Sequence, residues 1–202
     1  METLLLATKL RSPPPPPRAV PRPRLIEALE RGIPGCKLVH LSAPAGYGKT
    51  TLLAQWARAS RFPVAWLSLG AEENDPERFL RHLLAAWERV RPGIRESPAG
   101  LLLGAMGPDR DVALAALVNA ADDAPHEMVF VLDDYHAIDA DAVHRALTFL
   151  LDHLPPMLHV VLAGRGEPPL PLARYRARQE LLEFGVEDLR FGADETAELL
   201  NG

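Results

Sequence analysis

The residues able to do chemistry gather in two short stretches. The first reads Ala43-Pro44-Ala45-Gly46-Tyr47-Gly48-Lys49-Thr50-Thr51. It follows the pattern G-x-x-x-x-G-K-[ST], with Ala43 replacing the first glycine. Gly46 and Gly48 free the backbone to turn its N–H groups around a phosphate and let that phosphate approach closely. Lys49 offers a point charge to the outer phosphates, and Thr51 can reach the inner one. Thr50 offers a hydroxyl to Mg²⁺, which prefers oxygen ligands. A helix starting near Lys49 adds unpaired N–H groups and a positive dipole end. The plain alternative is an accidental glycine-rich turn, but the motif's required context, a strand before and a helix after, is present.

The second stretch is Met128-Val129-Phe130-Val131-Leu132-Asp133-Asp134, five apolar residues and then two acids. Acids at a strand's carboxyl end sit in the crevice where open α/β sheets bind ligands. Asp133 is the candidate for the Mg²⁺ contact, and Asp134 for polarising an attacking water. An isolated acid pair could simply end a strand; downstream of a phosphate loop that reading weakens. Tyr135 and His136 follow at the rim. Another apolar run ends Leu162-Ala163-Gly164-Arg165, where Arg165 fits either a sensor of the outer phosphate or a solvated surface arginine. Arg174, Arg176 and Arg178 read as a solvated face or interface. His40, His82, His126, His144, His153 and His159 lack ligand-like spacing with acids and read as surface or packed residues.

Short apolar strands alternating with helices must position these groups. Strands are expected at Leu38–Leu41, Val64–Leu69, Met128–Leu132 and Val160–Ala163, with a fifth strand or hairpin over Leu181–Phe191, interrupted at Gly185. Helices are expected around residues 24–31, 50–60, 74–90, 111–121 and 139–154, with a last one capped by Asp194. Residues 92–108 read as a loop around a short helical piece. Near-continuous apolar strands separated by helices imply α/β architecture, a five-stranded, mostly parallel sheet covered on both faces. Residues 11–23 (RSPPPPPRAVPRP) cannot form a helix or central strand and read as an extended arm. The expected organisation is therefore an arm at 1–23, a nucleotide-binding domain at 24–193, and the start of a further helical module at 194–202.

Composition narrows the class. The chain has 202 residues, 48% hydrophobic and 24% charged, which excludes fibrous or wholly disordered proteins. Residues 1–60 carry nine Lys/Arg against three Asp/Glu, and the remainder 13 against 24, so the bulk is acidic and a large nucleic-acid surface is not expected. Only three cations are lysines, Lys9, Lys37 and Lys49, and one of them falls at the motif. Cys36, the single cysteine, excludes an internal disulfide framework or a cysteine-based zinc site. No apolar run approaches the ~20 residues of a membrane helix, and the first residues do not form a signal peptide. A cytoplasmic protein without membrane partners is the expectation.

Together these residues resemble a family. The stretches Thr8-Lys9-Leu10, Val20-Pro21-Arg22-Pro23-Arg24-Leu25, Ser42 to Leu52, Val64 to Leu69, Asn74 to Phe79, Val131 to His136 and the Arg165 strand occur in the order found in MalT-like regulators. These are bacterial LuxR-family transcription activators of the STAND class of signalling ATPases. The resemblance implies an AAA+-type P-loop NTPase fold with the Arg165 strand between the phosphate-loop strand and the Asp133 strand. It implies ATP/ADP and Mg²⁺ as cofactors, with Val20 and Arg22 close to adenine. It further implies a slowly hydrolysing switch, monomeric with ADP and self-associating with ATP plus an inducer. Inducer recognition and DNA binding would lie in C-terminal regions, the latter a helix-turn-helix domain, and the chain reads as a fragment or truncated product of such a regulator. The alternative reading is a P-loop small-molecule kinase, with Arg174 to Arg178 as its lid. A GTPase is disfavoured by the lack of an Asn-Lys-x-Asp motif, and a transporter ATPase by the lack of Leu-Ser-Gly-Gly-Gln.

Overall fold

A computed structural model describes residues 5–104 and 110–201. Five strands, β1 (Leu38–Ser42), β2 (Val64–Ser68), β3 (Met128–Asp133), β4 (Leu158–Gly164) and β5 (Leu181–Phe184), form one sheet in the order β2-β3-β4-β1-β5. Every pairing is parallel, so the sheet is wholly rather than mostly parallel. The helices are α1 (Pro23–Gly32), α2 (Lys49–Ala59), α3 (Pro76–Glu88), α4 (Pro98–Gly104), α5 (Arg110–Asp122), α6 (Asp141–His153), α7 (Leu172–Ala177), α8 (Val186–Leu189) and α9 (Ala193–Asn201).

Alternation along the strands sorts the core into two layers, because successive side chains point to opposite faces. Phe130, Leu132, Leu158, Val160 and Leu162 join a cluster with α3, α5, α6 and α7. Val39, Leu41, Val129, Val131, Val161 and Ala163 join a second cluster with Leu25 and Leu29 of α1 and Leu52, Leu53 and Trp56 of α2. The sheet is thereby covered on both faces, which is what its near-continuous apolar strands require. Trp56 is fully buried, and its indole N–H donates to Glu30 of α1 at 2.7 Å, locking the two helices together.

The ends of the chain differ from expectation in detail. The fifth strand stops at Phe184; Gly185 then opens α8, its N–H donating to Asp188 at 2.8 Å. The last helix begins at Ala193, one residue before Asp194, and the Gly192 N–H is held by Glu195 at 2.8 Å, so Asp194 is not its cap. The stretch over 92–108, expected as a loop around a short helical piece, contains a 3-10 turn at Ile94–Glu96 and α4, which is that piece; residues 105–109 lie outside the described ones. Arg11–Arg22 contains neither helix nor strand, and it follows a 3-10 turn at Ala7–Leu10. That turn is anchored by the Lys9 ammonium, which donates to Glu73 at 2.9 Å. Glu73 is fully buried and also accepts from the Gly70 N–H and contacts His82 Nδ1, each at 2.7 Å. Although burial pushes this carboxyl upward, His82, Lys9 and Gly70 together hold its pKa at about 2.

Candidate nucleotide site

The phosphate loop runs from the end of β1 into α2. Gly46 has φ +87° and Gly48 φ +73°, left-handed conformations that disfavour any residue with a side chain. A Cβ at either position would meet nothing within 4 Å, so backbone conformation and not crowding demands glycine there. Gly48 is also the N-cap of α2, and no side chain caps the helix start. The first-turn N–H groups are therefore available to an anion. Lys49 is 8% exposed, and its ammonium donates to the carbonyls of Ala43 at 2.7 Å and Pro44 at 3.0 Å. Burial lowers its pKa, Asp134 and Asp133 oppose that shift, and Arg165 adds to it.

The two acids part company at the end of β3. Asp133 is 2% exposed and accepts the Thr50 hydroxyl on its two oxygens at 3.1 and 2.9 Å. Burial, reinforced by the Asp134 charge, pushes its carboxyl up to about 6 despite the Thr50 hydrogen bond. Asp134 lies in the left-handed region at φ +58°, and its carboxylate is more than half exposed. Its Oδ1 stands 3.8 Å from His136 Nδ1. A buried threonine–aspartate oxygen pair beside an exposed second carboxylate suits a hard cation that completes its shell with water and phosphate. Among the described residues no group of three or more His, Cys, Asp or Glu side chains could hold a metal without such help.

A cavity of about 310 Å³ brings together most of these groups, but Ala43, Pro44 and Asp133 do not line it. Ala45, Gly46, Gly48, Lys49, Thr50 and Thr51 form one wall, and Asp134 and Arg165 the other. Arg165 reaches it because β4 lies between β1 and β3, as the family resemblance implies. Tyr47 does not line this cavity; it packs against the α1–α2 core. Val20 and Arg22 do not line it either. Val20 is buried, and its carbonyl accepts from the Gln55 amide at 3.1 Å. The Arg22 guanidinium is 3% exposed and donates to the Leu189 and Arg190 carbonyls at 2.8 Å and to Glu195 at 3.1 Å. Its side chain thus clasps the α8–α9 segment. The sequence reading missed Gln55, which holds the arm against α2, and the Lys9–Glu73–His82 cluster. Lys9 was the available signal, as one of only three lysines.

The packed histidines have ordinary partners. His144 Nδ1 meets the Tyr135 hydroxyl at 2.8 Å, and His159 Nδ1 meets the Cys36 carbonyl at 2.7 Å. Arg174 pairs with Asp152, and Arg176 with Glu183 at 2.8 Å. No helix among the described residues is long and apolar enough to cross a membrane.

The model of the AAA ATPase domain family matches residues 20–163. The HTH-type transcriptional regulator MalT of Yersinia enterocolitica is 34% identical over 198 residues, covering 98% of this chain and 22% of that protein. MalT of Vibrio campbellii is 36% identical over 183 residues, covering 91% of this chain and 20% of that protein. The chain therefore spans roughly a fifth of the length of these relatives and is homologous to their N-terminal region. Among solved structures, Cdc6p of Pyrobaculum aerophilum aligns with a TM-score of 0.56 at 19% identity, over 92% of this chain and 51% of that one. A Walker-type ATPase of Pyrococcus abyssi aligns with a TM-score of 0.54 at 13% identity, over 91% of this chain and 57% of that one. At such identities the likeness shows the fold alone, that of the AAA+ ATPases.

Proposed function

The chain belongs to the AAA ATPase domain family, and on that premise we propose that it is the ATP-binding, slowly hydrolysing switch domain of a MalT-like transcriptional regulator. The observation that carries this reading is one cavity lined by Lys49, Thr50, Asp134 and Arg165, with the Thr50 hydroxyl held from behind by the buried Asp133 carboxyl. In this reading the N–H groups of residues 45–51 cradle the phosphates. The Lys49 ammonium exchanges the Ala43 and Pro44 carbonyls for phosphate oxygens. Thr50 and Asp133 hold Mg²⁺, which supplies charge neutralisation to the phosphates when bound. Asp134 accepts a hydrogen bond from the attacking water and orients it. Arg165 distinguishes the triphosphate from the diphosphate by charge. The backbone of Val20 and Arg22 borders adenine. Self-association in the ATP state, response to an inducer, DNA binding by a helix-turn-helix elsewhere in the parent protein, and a cytoplasmic location complete the proposal by analogy with the MalT relatives.

The kinase alternative has less support, because Arg174 and Arg176 are tied to Asp152 and Glu183 and are not a free lid. Calorimetry of ATP and ADP binding with Lys49→Ala tests the assignment. The variant removes a charge-assisted phosphate contact, so a loss of about 2–3 kcal/mol, roughly 30- to 150-fold in affinity, is expected. Unchanged affinity would reject the site.

A further inference from the structure

The segments that end β3 and β4 have a second side. Asp134 and Arg165 face the phosphate cavity. Their immediate neighbours Tyr135, His136, Gly164 and Gly166 line a different cavity, of about 210 Å³, on the opposite face of the sheet. Its floor is His40 of β1, paired laterally with Leu162 and Glu183 and only 4% exposed. At that level the same face of the sheet carries Leu132, Leu162 and the exposed Glu183, so His40 stands between an apolar row and a carboxylate. Burial lowers the His40 pKa, and the Gly166 backbone and the Glu183 and Glu167 charges only partly oppose it. Burial also lowers that of His136, with Arg165 adding to the shift.

Besides its two imidazoles, the lining contains one carboxylate, that of the exposed Glu167, and no Lys or Arg. Pro168 and Pro169 supply an apolar wall, and the Tyr135 ring another. The volume falls below the about 300–1,000 Å³ usual for drug-sized ligands. Arg176, Arg165 and Lys49 act on its imidazoles from outside the lining, so within the cavity an anion would meet Glu167 and no cation, whereas an ammonium gains a charge-assisted hydrogen bond and the Tyr135 ring.

We propose that this cavity binds a small organic cation, a primary ammonium on a short apolar body, and that the nucleotide site senses its occupancy. Glu167 takes the ammonium, Pro168 and Pro169 the carbon chain, and the His40 and His136 imidazoles its remaining polar contacts. Sensing runs through His136, whose Nδ1 is 3.8 Å from Asp134, and through Gly164 and Gly166 on either side of Arg165. This second half rests on the proposed nucleotide site; the binding itself does not.

Three straight-chain probes of similar length separate charge from shape: n-butylammonium, n-butanol and n-butyrate at matched ionic strength. The imidazole Cε1–H resonances of the 202-residue chain are followed by NMR without nucleotide. Saturable shifts of His40 and His136 with n-butylammonium alone, weakened about tenfold or more in Glu167→Gln, are the expected result. Equal responses to n-butylammonium and n-butanol, or an affinity unchanged in Glu167→Gln, would overturn the site. Repeating the titration on Lys49→Ala keeps the two readings apart: its ADP affinity should fall roughly 30- to 150-fold while the probe shifts persist. Sensing is read as a changed ADP dissociation rate at saturating n-butylammonium in the parent chain and not in Glu167→Gln. An identical rate with and without the probe would overturn the coupling.

Discussion

Replacing Asp133 by asparagine should make the nucleotide-free chain more stable at neutral pH while abolishing its response to Mg²⁺. The carboxyl is 2% exposed, and burial raises its pKa from 3.8 to about 6. At about 1.36 kcal/mol per unit, that shift corresponds to roughly 3 kcal/mol by which the ionised side chain opposes folding. The sign is set by linkage. An acid with a higher pKa in the folded chain stabilises while protonated, fully so below its unfolded value, and that contribution is lost as pH rises through about 6. Asparagine keeps the shape and the neutral state, and its one carbonyl can still accept from Thr50. A gain of about 1–3 kcal/mol near neutral pH, shrinking to nothing below about pH 4, is expected. Urea denaturation across this pH range, with ADP alone and with Mg²⁺–ADP, measures both halves. The parent should gain stability from adding Mg²⁺ to ADP and Asp133→Asn should not. An asparagine variant less stable than the parent at neutral pH, or a parallel pH–stability profile, would refute the reasoning.

Asp134→Asn should leave ADP affinity within about twofold, since the group faces the cavity half-exposed, and slow single-turnover hydrolysis by about 10²-fold or more; equal turnover would remove Asp134 from the water-orienting role. Glu73 titrates with the opposite sign to Asp133. Its pKa is held down from 4.5 to about 2, so about 3 kcal/mol of stability is present above pH ~4.5 and lost as pH falls toward ~2. Glu73→Gln should therefore be less stable near neutral pH by about that amount, with the gap narrowing in acid; a gap independent of pH in urea denaturation would contradict it. Arg22→Leu leaves the Leu189 and Arg190 carbonyls without this donor and Glu195 with only the Gly192 N–H, and should cost about 3 kcal/mol or more. Hydrogen exchange should then rise first in Val186–Asn201; unchanged protection there would show that Arg22 does not clasp that segment.

The parts of the molecule legible in the sequence are those whose chemistry is local. Gly46, Gly48 and Lys49 announce the loop because backbone conformation and one charge suffice. The strand at Met128–Asp133 is legible because five apolar residues precede two acids. Other features depend on partners far along the chain. Arg22 looks like any cation in a proline-rich arm, and only its contact with Leu189, Arg190 and Glu195 gives it a structural task. Asp133 and Asp134 are chemically identical in sequence, and burial, reinforced by the charge of its exposed neighbour, raises the Asp133 carboxyl to about 6. His40 reads as a packed histidine, and nothing local reveals the cavity above it. The end of β5 eluded the strand pattern because Leu189 is as apolar as a strand residue while Asp188 bends the chain back into a turn.

The strand order also constrains when the site can exist. β1, which launches the phosphate loop, pairs only with β4 and β5, both synthesised more than a hundred residues later. The first half of the chain therefore emerges from a ribosome with its phosphate-loop strand unpaired, and Arg165 and the sheet beneath the loop arrive almost together. Such long-range parallel pairing folds slowly. The site closes as a final step of assembly, so capture of nucleotide by the nascent chain would report that nearly the whole sheet is in register.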